Sequence, residues 1–536
     1  MKSRFLILFL FFYGLSNSQT FIYPQDYFFD SENQRNILMD SNRFELHQSI
    51  KPICYASRIY GQRNEDYFKA DKKLIGRKIF NEDFIELKHT DYQSGWPRKF
   101  VLNASPVFNF QGGINLQDTS REKLYINSRG IILKGAIDDK VYFESVFVEN
   151  QATFPKYIDD FANKYSVIPG SGRWKKFKTN GYDFAYASGF ILYSPNKYFS
   201  IQAGNGKHHL GNGYRSLLLS DNVFNYPYLR FNSKFFKGKI QYTSIYASLM
   251  NLTSGNVLSP IGTERLFQKK PAVFHHLSLN LGKYLNLGLF QSLIWSKSDS
   301  LNRTNLNAAF FNPLIFSNLA FYGFEDSKNI MTGIDLSIRP FKGFMIYGQF
   351  VLDEKGQKNS ISNKYGYQLG LRYFDVLGLK NLFMSAELNT VRPFTYSATD
   401  AGQAYTHYNQ SLAHPLGANF KEIIGILNYS FKRAYINVKV IQIKQGLNLG
   451  SNYGQDIFIS DFNSSLNSQA QNQGIQSETS IVDLKLGYLI NPKNNMTIYA
   501  GIMHRERNVD ISGGVDKTEF IYFGVQTALF NNYFDF

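Results

Sequence analysis

The feature that most constrains this 536-residue chain is a series of two-residue alternations joined by connections that are short and long in turn. Val482, Leu484, Leu486, Tyr488 and Ile490 interleave with Asp483, Lys485, Gly487 and Leu489, which makes a strand with one apolar face. The stretch 491–495 (NPKNN) turns it back into Met496, Ile498, Ala500 and Ile502. The same hairpin form recurs upstream, at 131–148, 182–204, 231–249, 277–289, 334–350, 366–389 and 423–440. Between hairpins run longer polar connections: 151–180, 205–226, 251–271, 296–329, 392–420 and 445–478. With a first strand near 101–110 and a last one at 521–529, the count comes to roughly 18, an even number.

That pattern predicts an all-β fold, a transmembrane outer-membrane β-barrel of about 18 antiparallel strands over residues 99–536. Short turns then face the periplasm and long loops face out. A propeller or sandwich also uses many short strands, but neither requires alternating turn lengths, and no internal repeat is visible. Composition agrees. The chain holds 49 Phe and 36 Tyr, yet its mean hydropathy is only −0.28. Strands that are apolar outside and polar inside give a low mean, while aromatic girdles collect rings at both interfaces. After the N-terminus no run of about 18 apolar residues remains, so helical spans are excluded.

The N-terminus reads as a secretory signal over residues 1–18: Lys2 and Arg4, an apolar run from Phe5 to Leu15, then Ser16-Asn17-Ser18 before Gln19. Export to the bacterial outer membrane follows as the expected address. No Cys lies just after the expected cleavage point, which argues against a lipid anchor. Residues 19–98 are richer in charge and lack alternation, so they form either a periplasmic segment or a plug in the lumen. Cys54 is the lone cysteine, which excludes an intrachain disulfide and suits a small buried residue. The net charge of +16 points to anionic partners: lipopolysaccharide, phospholipid headgroups or acidic polysaccharide, and not nucleic acid, given the address.

Few residues gather as chemistry would require. The run 204–213 (GNGKHHLGNG) is neither a phosphate-cradling loop nor a dinucleotide fingerprint, because Lys207 and the glycines are misplaced. It reads as a Gly-rich loop that folds back over the lumen. His208, His209, Ser216 and Asp221 do not form a convincing triad, since no strained nucleophile turn activates the serine. Adjacent histidines in a strand point to opposite faces, so neither that pair nor His275-His276 makes a metal site. No catalytic residue, metal or cofactor is expected. The loop 391–420 is more informative. There Arg392, Tyr405, His407, Tyr408, Asn409 and His414 combine aromatic faces with hydrogen-bonding groups, a surface able to stack on sugars and bind their hydroxyls.

The stretch 211–221 (GNGYRSLLLSD), followed by 226–229 (YPYL), resembles the Wzi-like capsule-assembly family. So do 392–396 (RPFTY) and 414–420 (HPLGANF), and the chain also resembles the RemB-type gliding-motility proteins of the Bacteroidota. The resemblance covers most of the chain. It implies an outer-membrane barrel of about 18 strands with an N-terminal periplasmic portion. It also implies a role in holding surface polysaccharide or in movement over surfaces, with motility or envelope proteins as further partners. On this basis Tyr214 and Arg215 join the candidate polysaccharide ligands. The leading expectation is therefore a non-enzymatic surface protein supporting gliding motility or attachment of capsule or exopolysaccharide. The alternative is a porin-like channel for anionic or sugar solutes, with Lys485, Lys439 and Arg372 facing the lumen.

Overall fold

A computed structural model gives the fold. It describes residues 98–536 apart from 119–122, 139, 253–266, 296–307, 323–328, 354–363, 449, 462–470, 492–493, 512–513, 528 and 530–531. Before residue 98 it describes 20–22, 35, 38–39, 47–56 and 85–91. The expected signal segment and most of 19–98 lie outside the described residues.

The chain is a closed antiparallel barrel of 18 strands. In order these are β1 (Arg98–Asn115), β2 (Lys123–Ile137), β3 (Val141–Thr153), β4 (Gly181–Asn196), β5 (Phe199–Gly206) and β6 (Tyr226–Phe235). Then come β7 (Ile240–Asn251), β8 (Gln268–Leu281), β9 (Leu285–Ile294), β10 (Asn329–Ile338), β11 (Phe344–Leu352) and β12 (Tyr365–Phe374). The circuit ends with β13 (Leu382–Val391), β14 (Phe420–Phe431), β15 (Ala434–Leu447), β16 (Ile475–Asn491), β17 (Met496–Val509) and β18 (Val515–Gln526). Pairing of 520–526 with 109–115 closes the ring. The expected short turns all occur, but two of the opposite connections, 116–122 and 510–514, are short as well.

Alternation decides which way each side chain points. On β10, Ile334, Leu336 and Ile338 are exposed while Asp335 and Ser337 are buried, and on β14 Ile423 and Leu427 are exposed while Glu422 and Asn428 are buried. In water this would be inverted. It is stable where the outer face meets hydrocarbon and every backbone group is bonded within a closed sheet.

The lumen is not a channel-like void. A core forms inside it from loop residues Leu217, Leu218, Leu219, Tyr396, Tyr405 and Leu412, packed on inward wall residues such as Phe274, Phe290, Met331 and Val351. Residues of the N-terminal segment join them. Ile50-Lys51 pairs with His209-Leu210 as a two-stranded sheet, and Ile50 enters the same core. His47 lies between Ser278 Oγ (2.7 Å) and the Gly238 carbonyl (2.9 Å), at a short turn. Arg35 pairs with Asp375 at 2.7 Å in another short turn, beside Leu38.

The end of the chain corrects the sequence reading. A last strand through Leu529 was expected, with Ile521, Phe523, Val525 and Leu529 in its lipid-facing row and Phe534 and Phe536 either past a turn or beyond the ladder. The ladder instead stops at Gln526, and Leu529 packs among the lumenal valines Val107, Val146 and Val148. Phe534 meets Phe154 at 5.4 Å and Phe536 meets Phe161, also at 5.4 Å, on helix α1 (Lys156–Tyr165) of an inward-packed long loop. The wall position that β18 vacates beside β1 is taken by strand Ile85–Asp91, paired with 98–104.

One long loop goes the other way. Phe310 and Leu319 of 308–322 pack on the outward residues Val273, Leu293 and Ile330, with Trp295. They cover a polar spot on the lipid face, where His275 Nδ1 lies 3.0 Å from Tyr242 Oη and 3.1 Å from Ser244 Oγ.

Candidate functional site

The loop 207–225 enters the barrel because two wall glutamates receive it. Glu387 on β13 accepts the backbone N–H of Tyr214 (2.7 Å) and of Arg215 (3.1 Å). Strand parity puts Glu387 and Glu422 inward, and neither could be buried there without such partners. Arg215 is buried and fills that role for Glu422, with Nη2 at 3.2 Å from Oε1. Its Nη1 donates to Asp535 Oδ1 at 3.0 Å and its Nη2 to the Asp535 carbonyl at 2.6 Å. Asp535 also accepts from Tyr214 Oη (2.6 Å) and Lys439 Nζ (2.6 Å). One guanidinium thus joins the wall, the inward loop and the last residues of the chain. Arg215 and Lys439 hold the Asp535 carboxyl down at about 2, against the opposing effect of its burial.

His414 completes the network. Its Nε2 lies 2.6 Å from Glu422 Oε2 and its Nδ1 accepts the Leu416 N–H at 3.2 Å. The second bond needs a lone pair on Nδ1, so the ring is neutral with its proton on Nε2. Burial lowers the His414 pKa, and Glu422 opposes it. His407 is neutral by the same logic: Nδ1 accepts from the Met250 N–H (3.0 Å) and Nε2 donates to the Asn225 carbonyl (3.2 Å). Burial pushes its pKa down to about 3. Tyr405 donates to the Leu218 carbonyl at 2.6 Å and Tyr396 to the Leu217 carbonyl at 2.8 Å, which fixes the leucine run in the core.

Of the residues expected to meet sugar, Tyr214, Arg215, Tyr405, His407 and His414 are therefore buried inside the barrel and hydrogen-bonded to the chain itself. Arg392, Tyr408 and Asn409 keep exposed surface. Arg392 lies over the Tyr365 ring at 5.2 Å. Tyr408 and Asn409 are the two-residue turn of the miniature hairpin Thr406-His407/Gln410-Ser411, with φ of 53° and 55°. Positive φ at both positions marks a primed hairpin turn, which favours Gly or Asn and costs a tyrosine strain. The tip is held in place: the Tyr408 N–H donates to the Met250 carbonyl at 2.8 Å and Asn409 Nδ2 to the Tyr165 carbonyl at 3.0 Å. Its ring meets Phe224 at 4.7 Å. Exposed Arg173 adds positive charge close to Tyr408 and lies over Phe267 at 5.3 Å. Arg173, Phe224 and Phe267 escaped the sequence reading because they come from three separate connections with no common motif.

Two further places could carry chemistry. Ser216 Oγ donates to the Leu210 carbonyl and accepts the N–H groups of Leu218 and Leu219 (3.2 Å each), the work of a turn-capping residue. His209 is turned to Asp221 at 3.3 Å, and Asp221 also accepts from Tyr533 Oη at 2.8 Å. Among the described residues no three His, Cys, Asp or Glu side chains gather as a metal ion would require. A cavity of about 320 Å³ remains in the lumen beside the end of the chain, lined in part by Tyr435, Asn437, Lys439, Asp483, Lys485 and Tyr522.

No family model matches the chain, and no curated protein does. Solved structures are more informative. OccAB2 of Acinetobacter baumannii (10% identity, TM-score 0.43) and OprD of Pseudomonas aeruginosa (11%, 0.42) each align over 80% of this chain, and over 97% and 96% of their own. Wzi of Escherichia coli, a carbohydrate-binding β-barrel of the outer membrane involved in group 1 capsule assembly, aligns over 95% of this chain and 100% of its own. Its identity is 11% and its TM-score 0.53. The chain is thus an outer-membrane β-barrel similar in fold to Wzi along nearly its whole length.

Proposed function

We propose that this protein is a non-enzymatic surface protein that binds polysaccharide at the outer mouth of its barrel, through the patch around Tyr408. The observation that carries this reading is the strained, partly exposed Tyr408-Asn409 tip, beside Phe224, Phe267 and Arg173, above a lumen filled by the chain's own segments. Aromatic faces stack on sugar rings, and Arg and Asn bind hydroxyl or acidic groups. Strain at a loop tip persists only where the surrounding structure enforces it, and such positions cluster at ligand-binding places. The carbohydrate binding of Wzi, a fold neighbour, supports the same reading. In the cell this binding would serve attachment of capsule or exopolysaccharide, or surface motility, after export by the N-terminal signal.

The porin alternative has one supporting feature, the lumenal cavity with Lys439 and Lys485. The buried core across the lumen argues for a closed barrel instead. The test is a glycan-binding screen of the folded protein, repeated with Tyr408→Ala and Arg173→Ala. Retention of an acidic or neutral bacterial polysaccharide by the wild type, falling about tenfold or more in either variant, supports the proposal; a stacked ring is worth ~1–3 kcal/mol. Binding unchanged in both variants, or no polysaccharide bound at all, contradicts it.

A further inference from the structure

The barrel's charge is unevenly placed. Each of the eight short turns carries at least one Lys or Arg. Carboxylates occur in only two of these turns, at 138–139 and at Asp375, and Asp375 is already paired with Arg35. At the opposite end both signs mix and pair, as in Lys156–Asp160, Lys164–Asp456 and Lys364–Asp461.

The short-turn lysines also have a repeated neighbour. In five turns a lysine adjoins an exposed aromatic: Lys197-Tyr198, Phe236-Lys237, Lys283-Tyr284, Phe341-Lys342 and Phe431-Lys432. The ring exposures run from 42% for Tyr198 to 74% for Phe236. In two of these pairs the ammonium lies over its own neighbour's ring, at 5.1 Å for Lys197–Tyr198 and 5.7 Å for Lys432–Phe431. The pairs belong to the β4–β5, β6–β7, β8–β9, β10–β11 and β14–β15 turns, so they follow a long arc of the rim from β4 to β15, while the lysines of the β2–β3, β12–β13 and β16–β17 turns adjoin no aromatic. They also continue the lipid-facing rows: Phe235, Leu281, Ile338 and Tyr429 are exposed beside them.

We infer that the short-turn rim from β4 to β15 carries an arc of binding sites for the phosphates of anionic phospholipids, with each aromatic set at the edge of the hydrocarbon and its lysine at headgroup depth. An aromatic at the interface fixes depth, and a lysine whose stem lies along apolar surface extends its charge to the headgroups. Basic residues beside a membrane attract anionic lipid. A protein or soluble polymer docking on the periplasmic face would meet the turns from below and would leave the outward aromatics, which continue the lipid-facing rows along the arc from β4 to β15, without a purpose. Lipid packed along that arc meets both members of every pair.

The inference is independent of polysaccharide binding. It is tested on the full-length protein in mixed micelles with equimolar phosphatidylglycerol and phosphatidylcholine of the same chain length, by native mass spectrometry of the retained lipid. The wild type should retain phosphatidylglycerol over phosphatidylcholine by about tenfold or more. The combined variant Lys197→Gln, Lys237→Gln, Lys283→Gln, Lys342→Gln, Lys432→Gln should lose most of that preference. The matching set of Lys→Arg changes should keep it, as should Lys175→Gln, Lys176→Gln, Lys178→Gln on the outer side. Equal retention of the two lipids by the wild type would overturn the inference without recourse to any variant. So would undiminished preference in the folded Lys→Gln variant, or inorganic polyphosphate displacing phosphatidylglycerol, which would mark the rim as a dock for a soluble polyanion.

Discussion

Arg215 is the residue on which most separate parts of the chain depend. Removing its charge leaves Glu422 and Asp535 buried without the cation they share, a change that costs ~3–5 kcal/mol when one partner of a buried pair is lost. Arg215→Met should therefore lower the urea midpoint of the folded protein and make residues 529–536 accessible to protease while the barrel strands stay protected. The burial of His407 makes a second prediction. His407 is neutral in the fold with a pKa near 3, whereas in the unfolded chain it titrates near the ordinary 6.5. As pH falls below about 6.5 the unfolded chain takes up the proton first, so stability declines toward pH 3 by at most ~1.4 kcal/mol per unit for this group. Asp535 works in another window: its depressed pKa contributes stability above the unfolded value of about 3.9 that is lost as pH falls toward 2. His407→Gln should accordingly flatten the dependence of the urea midpoint on pH between about 6.5 and about 3, and leave the acid limb below about 3 unchanged. None of this was legible from the residues in sequence. Tyr405, His407 and His414 look like exposed loop residues because the atoms that bury them lie far away in the chain, as with Tyr405 and the Leu218 carbonyl, 187 positions apart.

Strands were the legible elements. Their outer faces meet hydrocarbon and their inner faces meet polar filling, so parity alone told Ile423 from Glu422, and the eight short turns fell where the alternation broke. Segments that left the wall were not legible. The last ten residues continue an apolar and aromatic composition, and nothing local says that Leu529 turns inward while Phe523 stays out. The helix at 317–322 was hidden for the same reason, since the described segment 308–322 is placed by packing against the outside of β7–β10. Its role there is testable. Deleting 308–322 should bring Trp295, His275 and Gln291 into contact with lipid, so Trp295 fluorescence should be quenched by brominated acyl chains in a variant with Trp96 and Trp174 changed to Phe. Equal quenching with and without the segment would mean that it does not cover the wall in a membrane.

At the scale of the whole molecule the barrel is a container that its own chain fills. Residues 47–53 enter near the short turns, 207–225 and 392–419 descend from the long-loop side, and 529–536 rise along the inner wall to Arg505, whose Nε donates to the Phe536 carbonyl oxygen at 3.1 Å. Such filling suits a rigid platform for the Tyr408 patch, because the described loop segments 207–225 and 392–419 beneath it are bonded to the wall. It does not suit a conduit. Planar-bilayer recording of the purified protein tests this most directly, with wild type compared against a variant that lacks 529–536 and carries Arg215→Met. A barrel closed from within should give no conductance steps as wild type and should give steps once the tail and its anchor are removed. Regular steps from the wild type, with no increase in the variant, would contradict a closed barrel and favour a channel.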